Sequence, residues 1–346
     1  MGTSGRRDPR ARSGHAGRHH LHYRRRGLTL GGGHGYLTRK YGLTIDNLLE
    51  AEVVLADGRV VTASESQHSD LFWALRGGGG NFGVVTSFTF RLHPVHTVIC
   101  GATAWPVSAT ADILRWYRDF LPAQDEELYG FFASMTVPPF ASFPEAFHLQ
   151  KVCAVVWCYT GDPARADDAF APVRQMEPAF EGLIEAPYPA LQSTFDGLYP
   201  KGLQWYWRGD FFRTVVDGAV EAHARFTEEL PTMHSTMHLY PIDGAVRRVG
   251  RTDTPWAYRD VNFSQVIAGV DPDPANAEAL KRWTADYWDA THPYSAGGAY
   301  VNFMMDEGQD RVRATYGPNY QRLSEIKAQY DPSNVFRINQ NIQPAG

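Results

Sequence analysis

Two glycine-rich stretches, Gly31-Gly32-Gly33-His34-Gly35 and Gly77-Gly78-Gly79-Gly80-Asn81-Phe82-Gly83, are the first candidates for chemistry. With no Cβ in the way, backbone N–H groups at such glycines can approach a phosphate closely. A flexible turn accounts for consecutive glycines equally well, and pattern alone leaves both readings open. Neither loop fits the Rossmann fingerprint, which needs strand, glycine loop and helix in that order. The second loop runs from helix to strand, and the first leads into a short segment that Tyr41-Gly42 soon interrupts. No Gly-Lys-Ser/Thr follows either loop, so a P-loop is excluded. A third candidate is AYVNFMMD (299–306). Read as a strand, its period of two puts Tyr300, Asn302 and Met304 on one face and Val301, Phe303 and Met305 on the other. His34, Arg39, Arg259 and the Trp283/Tyr287/Trp288 cluster could line a pocket, but each reads more simply as surface or core. Cys100, Cys153 and Cys158 form no C-x-x-C, so neither a zinc site nor a disulfide framework is indicated.

The elements that must position these residues follow from periodicity. Two β-branched runs within AEVVLADGRVVTAS (51–64) flank Asp57-Gly58, a strong hairpin signal. Ser69-Asp70 is expected to cap a short helix, DLFWALR, and VVTSFTFRLHPV after the second glycine loop reads as a strand. Further helices are expected over 108–120, 163–176, 217–229, 275–290 and 319–330, and strands over 127–136, 151–158, 234–240 and 261–269. Few connections look like tight βαβ crossovers, so the expectation is α+β: an antiparallel sheet with helices on one face.

At 346 residues the prior is two domains, or one with a large insertion. The chain is 43% apolar and 21% charged, and no uncharged apolar run approaches the roughly 18 to 20 residues of a spanning helix. A membrane, collagen-like or mainly disordered protein is therefore not expected, and a net charge of −5 argues against a nucleic-acid binder. With no signal peptide visible, a cytoplasmic location is expected. That average charge hides a seam. Residues 1–26 hold eight Arg, four His and one acid, Asp8. Taking these from the chain's 33 basic and 38 acidic residues leaves 25 against 37, a remainder of −12. A basic arm, a transit peptide or a histidine metal site each fits this tail poorly. Codons permitted for Arg12–Gly27, shifted by one base, read GLATPGGIISTTGVAG, which runs smoothly into LTLGGGHGYL. The tail is expected to be a non-native start that packs against nothing.

The segments LTLGGGHGYLTRKYGLTIDNLLEAEVVLADGRVV and DLFWALRGGGGNFGVVTSFTFRLHPV resemble the second half of the FAD domain of berberine-bridge-enzyme-like flavin oxidases. That domain is of the vanillyl-alcohol-oxidase type. YVNFMMD followed by YGPNYQRLSEIKAQYDPSNVFRINQNI resembles the family's C-terminal segment, and LQSTFDGLYPKGLQWYWRGDFF its substrate domain. The resemblance implies a second FAD lobe at 27–98, a substrate domain at 99–290, and a return to the FAD domain at 291–346. The family carries a first lobe upstream, with a phosphate loop and a flavin-linking histidine; this chain is expected to lack it. No Cys precedes Cys100, so the cysteinyl flavin link of some members has no counterpart.

Residue by residue, the resemblance assigns FAD contacts to Gly31, Gly32, Gly33 and Gly35, and to Tyr41, Gly42, Asp46 and Asn47. Asp46-Asn47 could instead only cap the next segment. Gly80, Asn81, Gly83, Val84 and Val85 match the loop that meets the adenosine-diphosphate portion, the two valines through main-chain groups with side chains in the strand core. Asn302 and Asn339 match positions beside the flavin ring, where Asn offers both a donor and an acceptor. Tyr300 matches a tyrosine given the role of base in relatives that oxidise sugars and alcohols. A free Tyr has a pKa of about 10, so a positive charge or hydrogen-bond donor would have to lower it; packing by its ring is the plainer alternative. No metal ligand is assigned. The implied function is an FAD-dependent oxidase with a small-molecule substrate and oxygen as acceptor. A catalytically silent fragment is the alternative, and a carbohydrate-binding module a distant third.

Overall fold

The computed structural model describes residues 27–140 and 143–346, together with the backbone of 13–14 and 25–26. Most of the 1–26 tail lies outside the described residues. Within it, β1 (Ser13–Gly14) pairs antiparallel with β5 (His93–Pro94). Helix α1 (Arg25–Leu30) also crosses the seam.

A small antiparallel sheet is built from β2 (Leu48–Val54), β3 (Val60–Ser64) and β4 (Val84–Phe90), with β2 in the middle. The β2–β3 turn closes at Gly58, whose φ of 82° only glycine takes readily. Helix α2 (Thr38–Tyr41) follows the first glycine loop, and α3 (Ser69–Leu75) precedes the second. The N-cap of α3 is His68 rather than Ser69-Asp70, and His68 makes no side-chain cap bond. Asp70 Oδ1 accepts both from Leu71 N–H and from the Tyr330 hydroxyl, each at 2.8 Å.

The large sheet is antiparallel throughout. Its strands are β6 (Thr97–Pro106), β7 (Leu128–Thr136), β8 (Lys151–Tyr159), β9 (Phe180–Glu181), β10 (Ile184–Pro187), β11 (Gln204–Phe212), β12 (Thr236–Pro241) and β13 (Phe263–Asp271). The order is β10-β6-β8-β7-β12-β13-β11, with β9 also pairing β6. Helices α4 (Thr110–Phe120), α7 (Asp217–Glu228) and α8 (Ala277–Thr291) cover one face, and their apolar side chains join Phe132, Val155, Trp157, Met237 and Ile267 in one core. Helix α5 (Ala166–Arg174) adds Phe170 and Val173 to it. Alternation turns Tyr129, Phe131, Val156, Tyr240 and Val266 to the opposite face. There they meet Tyr36 and Leu37 from the first glycine segment and α6 (Tyr188–Ser193). With both faces covered, β7 and β8 are buried almost without interruption.

The C-terminal stretch, with α9 (Gln309–Tyr316) and α10 (Tyr320–Tyr330), shares a core with α3 and the small sheet. Residues 299–306 are not a strand: Val301–Phe303 form a single 3-10 turn. A strand needs an open edge to pair with; here the segment is wedged between the glycine loop and β11, where a Cβ on Gly209 would meet Phe303 at 2.9 Å.

Candidate active site

The two glycine loops meet. Gly79 N–H donates to the Leu30 carbonyl at 3.0 Å, tying the second loop to the end of α1. The first loop is pinned from its other side, since Thr44 and Ile45 N–H donate to the carbonyls of Gly33 and Gly32 at 2.7 and 3.1 Å. Gly35 N–H donates to Thr38 Oγ1 at 2.6 Å, closing the turn into α2. Glycine is required here by space as well as by backbone angle. A Cβ on Gly31 would lie 2.5 Å from Asn302 Oδ1, and one on Gly32 (φ 132°) would lie 2.5 Å from the Trp256 ring.

Tyr300 and Asn302 converge on this loop although no strand places them. Gly33 N–H donates to the Tyr300 hydroxyl at 3.1 Å, and the Asn302 amide donates to it at 2.6 Å. The hydroxyl in turn donates to the Leu28 carbonyl at 3.3 Å. Asn302 Nδ2 also reaches the Gly27 carbonyl at 3.2 Å. Met304 turns away to accept from Thr315 Oγ1. The Tyr300 ring is buried beside Trp256, Phe303 and His34. Burial pushes the His34 imidazole down to about 3, so it stays neutral.

The second loop is held by groups that pattern reading missed. Asn81 Nδ2 donates to the Gly78 and Gln340 carbonyls, and its Oδ1 accepts from Ile342 N–H. Its carbonyl accepts from Lys327 Nζ at 2.6 Å, and Lys327 also donates to Asp331 at 2.5 Å and to the Phe336 carbonyl at 2.7 Å. Both members of this ion pair are fully buried. Burial holds the Lys327 ammonium below the usual lysine range. The Asp331 carboxyl is held low against its own burial, by Lys327 and by the N–H groups of Phe336 and Val335. Gln340, not Asn339, faces inward: it donates to the Met304 carbonyl at 2.7 Å, while Asn339 is exposed on a turn. Val84 differs from expectation too. Gly83 packs onto Val53 and Val54, Val85 is buried, but the Val84 side chain is 49% exposed.

Asp46 and Asn47 bond to the protein's own groups. Arg259 grips Asp46 with two bonds of 2.8 and 2.9 Å, and Leu43 N–H donates to the same carboxylate. Asn47 Nδ2 donates to the Tyr41 and Leu43 carbonyls, and its Oδ1 meets His93 Nε2 at 2.6 Å. Tyr41 stacks on that same His93 at 4.0 Å, and Gly42 turns the chain at φ 79°. These residues shape the first loop. Arg39, buried, bonds Asp243 at 2.9 Å and the carbonyls of Gln124, Asp125 and Leu128 at the start of β7, so it joins the loop to the large sheet. On that sheet a shallow cleft opens between β7, β12 and the segment after α6, lined by Phe131, Phe195, Leu198, Tyr199, His238 and Tyr240.

The FAD binding domain family matches residues 26–64, and the berberine and berberine-like family matches 299–343. These are the two segments that meet at Tyr300. The chain is 30% identical over 321 residues to an FAD-linked oxidoreductase of Dictyostelium discoideum, covering 92% of this chain and 68% of the relative. FAD-linked oxidoreductase YgaK of Bacillus subtilis (strain 168) is 30% identical over 328 residues, with 92% and 70% covered. Among solved structures, Physcomitrella patens BBE-like 1 matches with a TM-score of 0.78 at 23% identity, covering 93% of this chain and 71% of that one. Berberine bridge enzyme from Eschscholzia californica gives 0.77 at 18%, with 92% and 70% covered. The fold and the paired loops thus define a flavin-binding oxidoreductase. The chain belongs to the berberine-bridge-enzyme-like FAD-linked oxidoreductases, and its cofactor is FAD.

The residues present fit that cofactor. Among the described residues nothing donates to Asn302 Oδ1, which lies against Gly31 and can accept from a heterocyclic N–H. Gly80 leaves room beside its backbone: a Cβ there would meet only Ile338, at 3.6 Å. Among the described residues no helix is long and apolar enough to cross a membrane, and no cluster of three or more His, Cys, Asp or Glu could hold a metal ion.

Proposed function

We propose that the chain oxidises a hydroxyl-bearing carbon of an alcohol, sugar or natural product, with oxygen as the final acceptor. The observation that carries this is the convergence on Tyr300, whose hydroxyl receives Gly33 N–H and the Asn302 amide directly over the glycine loop. Bound FAD supplies the acceptor for the hydride. Gly31, Gly32, Gly33 and Gly35 would hold it from one side, and Gly80, Asn81, Gly83 and the main chain of Val84 and Val85 from the other. Asn302 would meet its ring, and Tyr41, Gly42, Asp46 and Asn47 keep the first loop in shape. The substrate's O–H proton must leave as its carbon gives up hydride, and we assign Tyr300 as the base. Two N–H donors on one oxygen stabilise the anion formed there. Trp256, Phe303 and His34 pack against the Tyr300 ring, which is buried.

The purified chain should show a flavin band in visible light that an oxidisable alcohol bleaches anaerobically. Tyr300→Phe should retain the band and slow bleaching by about 100- to 10,000-fold, the usual cost of losing a general base. Asn302→Ala should instead shift the band or weaken FAD retention. Bleaching at the parent's rate in Tyr300→Phe would reduce Tyr300 to a packing residue, and a colourless chain would overturn the oxidase reading.

A further inference from the structure

The three cysteines of the chain fall on the two faces of one strand pair. Strand β8 alternates, so Cys153 joins the helical core with Val155 and Trp157, while Cys158 joins Tyr129, Phe131 and Val156 on the opposite face. Strand β6 runs antiparallel beside β8, and the register sets Cys100 directly across from Cys158. Directly opposed residues of such a pair turn their side chains to the same face, and Cys100 shares the core that holds Cys158. An antiparallel ladder separates opposed Cα atoms by about 4.5 or 5.5 Å. Both spacings lie within the roughly 4.4 to 6.8 Å that a disulfide spans. Cys153 faces Trp105 across the same ladder, so it has no thiol to reach.

The two sulfurs differ in how deep they lie. Cys158 is wholly buried between Cys100 and Tyr129, its neighbours on β6 and β7. Burial pushes its thiol well above the ordinary cysteine value; Cys100 adds to the rise and Lys40 opposes it. Burial lifts the Cys100 thiol less, to about 11. Cys100 also sits nearer the rim of the sheet. It pairs with Ile184 of β10, a four-residue edge strand, and the Ile184 side chain is 61% exposed. A short edge strand opens locally at low cost, so a small oxidant reaches Cys100 first.

We propose that Cys100 and Cys158 are a site of reversible oxidative modification, closing a cross-strand disulfide by reducing hydrogen peroxide. In the first step the Cys100 sulfur attacks one peroxide oxygen. The O–O bond breaks, and a sulfenic acid and one water form. The Cys158 sulfur then displaces the hydroxyl from Cys100: an S–S bond forms, and the departing hydroxide takes the Cys158 proton and leaves as a second water. Two thiols have then given two electrons to one peroxide. A thiol reductant reverses the bond by exchange. The bridge ties β6 to β8 on the face where Tyr36 and Leu37 of the first glycine segment pack. An oxidase that uses oxygen releases hydrogen peroxide, so the oxidase reading supplies this oxidant in place; the pair itself requires only the peroxide.

The test exposes the folded full chain, reduced and then freed of reductant, to added hydrogen peroxide. The parent should lose the mass of two hydrogen atoms, and thiols titrated after unfolding should fall from three to one. Peptide mapping should find the segments holding Cys100 and Cys158 joined, and dithiothreitol should return all three thiols. Cys153→Ser should form the same bridge at the parent's rate. Cys100→Ser and Cys158→Ser should form none, and in Cys158→Ser the stranded sulfenic acid at Cys100 should be captured by dimedone. If a variant does not fold, the parent's mass and peptide map decide the matter by themselves. Three thiols kept under peroxide that oxidises the unfolded chain, or a bridge that includes Cys153, would overturn the proposal. A chain that bridges with added peroxide but shows no substrate-bleached flavin band would sink the oxidase reading and leave this pair intact.

Discussion

Asp46 spends its charge on the protein itself. The Arg259 guanidinium takes both carboxylate oxygens, and Thr254 Oγ1 accepts from the same guanidinium at 2.7 Å, with both charged side chains nearly inaccessible. Arg259→Met should therefore strand a buried carboxylate and cost about 3–5 kcal/mol, measurable in urea. Arg259→Lys should recover only part of this, because a lysine cannot reproduce the planar two-pronged grip. A loss below 1 kcal/mol for Arg259→Met would show that water reaches Asp46. The same scale separates Asn302 from Asn339. Both are asparagines of the C-terminal segment, yet only Asn302 lies against the glycine loop, because the turn at 301–303 points it there.

Among the elements, α10 matters most to the site. Its Lys327 passes one ammonium to the Asn81 carbonyl, to Asp331 and to the Phe336 carbonyl, clamping the second glycine loop to the chain's last segment. Lys327→Met should destabilise the protein by about 3–5 kcal/mol by leaving Asp331 buried and unpaired. It should also lower FAD content at a given free FAD concentration, because the loop loses its anchor. Normal FAD retention in a destabilised variant would separate the clamp from the cofactor. The glycine loop gives a sharper case. Gly32→Ala puts a Cβ 2.5 Å from Trp256 at a φ of 132°, so the loop itself must shift. Loss of flavin absorption with the large sheet still folded, seen by circular dichroism, is the expected outcome. An unchanged flavin band would mean that the Trp256 ring yields instead.

Across the whole molecule, two buried histidines set a pH limit. His34 sits between the glycine loop and the sheet, and His223 lies in the helical layer, where its Nδ1 and the Tyr287 hydroxyl are 2.7 Å apart. Burial lowers each to about 3, against an unfolded value near 6.5. The folded values are depressed, so the unfolded chain takes protons first as pH falls. Their stabilising contribution is whole above pH ~6.5 and drains away toward pH ~3, at about 1.4 kcal/mol per pH unit for each histidine. Urea midpoints at pH 7.5 and pH 5 should differ accordingly. Equal midpoints would mean that both imidazoles accept a proton in place.

The glycine loops, the Asp57-Gly58 hairpin and the helices over 110–120, 217–228, 277–291 and 320–330 were legible in the sequence, because local signals specify them. Glycine runs, a two-residue turn and a 3.6-residue apolar period act within a few residues of chain. The antiparallel sheet with helices on one face followed from the same periods. The failures were of another kind. Residues 299–306 alternate like a strand, yet the glycine loop and β11 leave them no edge to pair with, so they close into a 3-10 turn. Strand β11 and helix α9 went unread, the first amid aromatic residues of mixed period and the second in a short, polar stretch. The partners of Asp46, Asn81 and Tyr240 lie 213 residues away, 246 residues away and on the next strand position but one. Only the last separation is local. Residue types and short-range periods settle which elements form; charges and hydroxyls in a low-dielectric interior are settled by whichever distant group folding brings within 3 Å, and that is tertiary information.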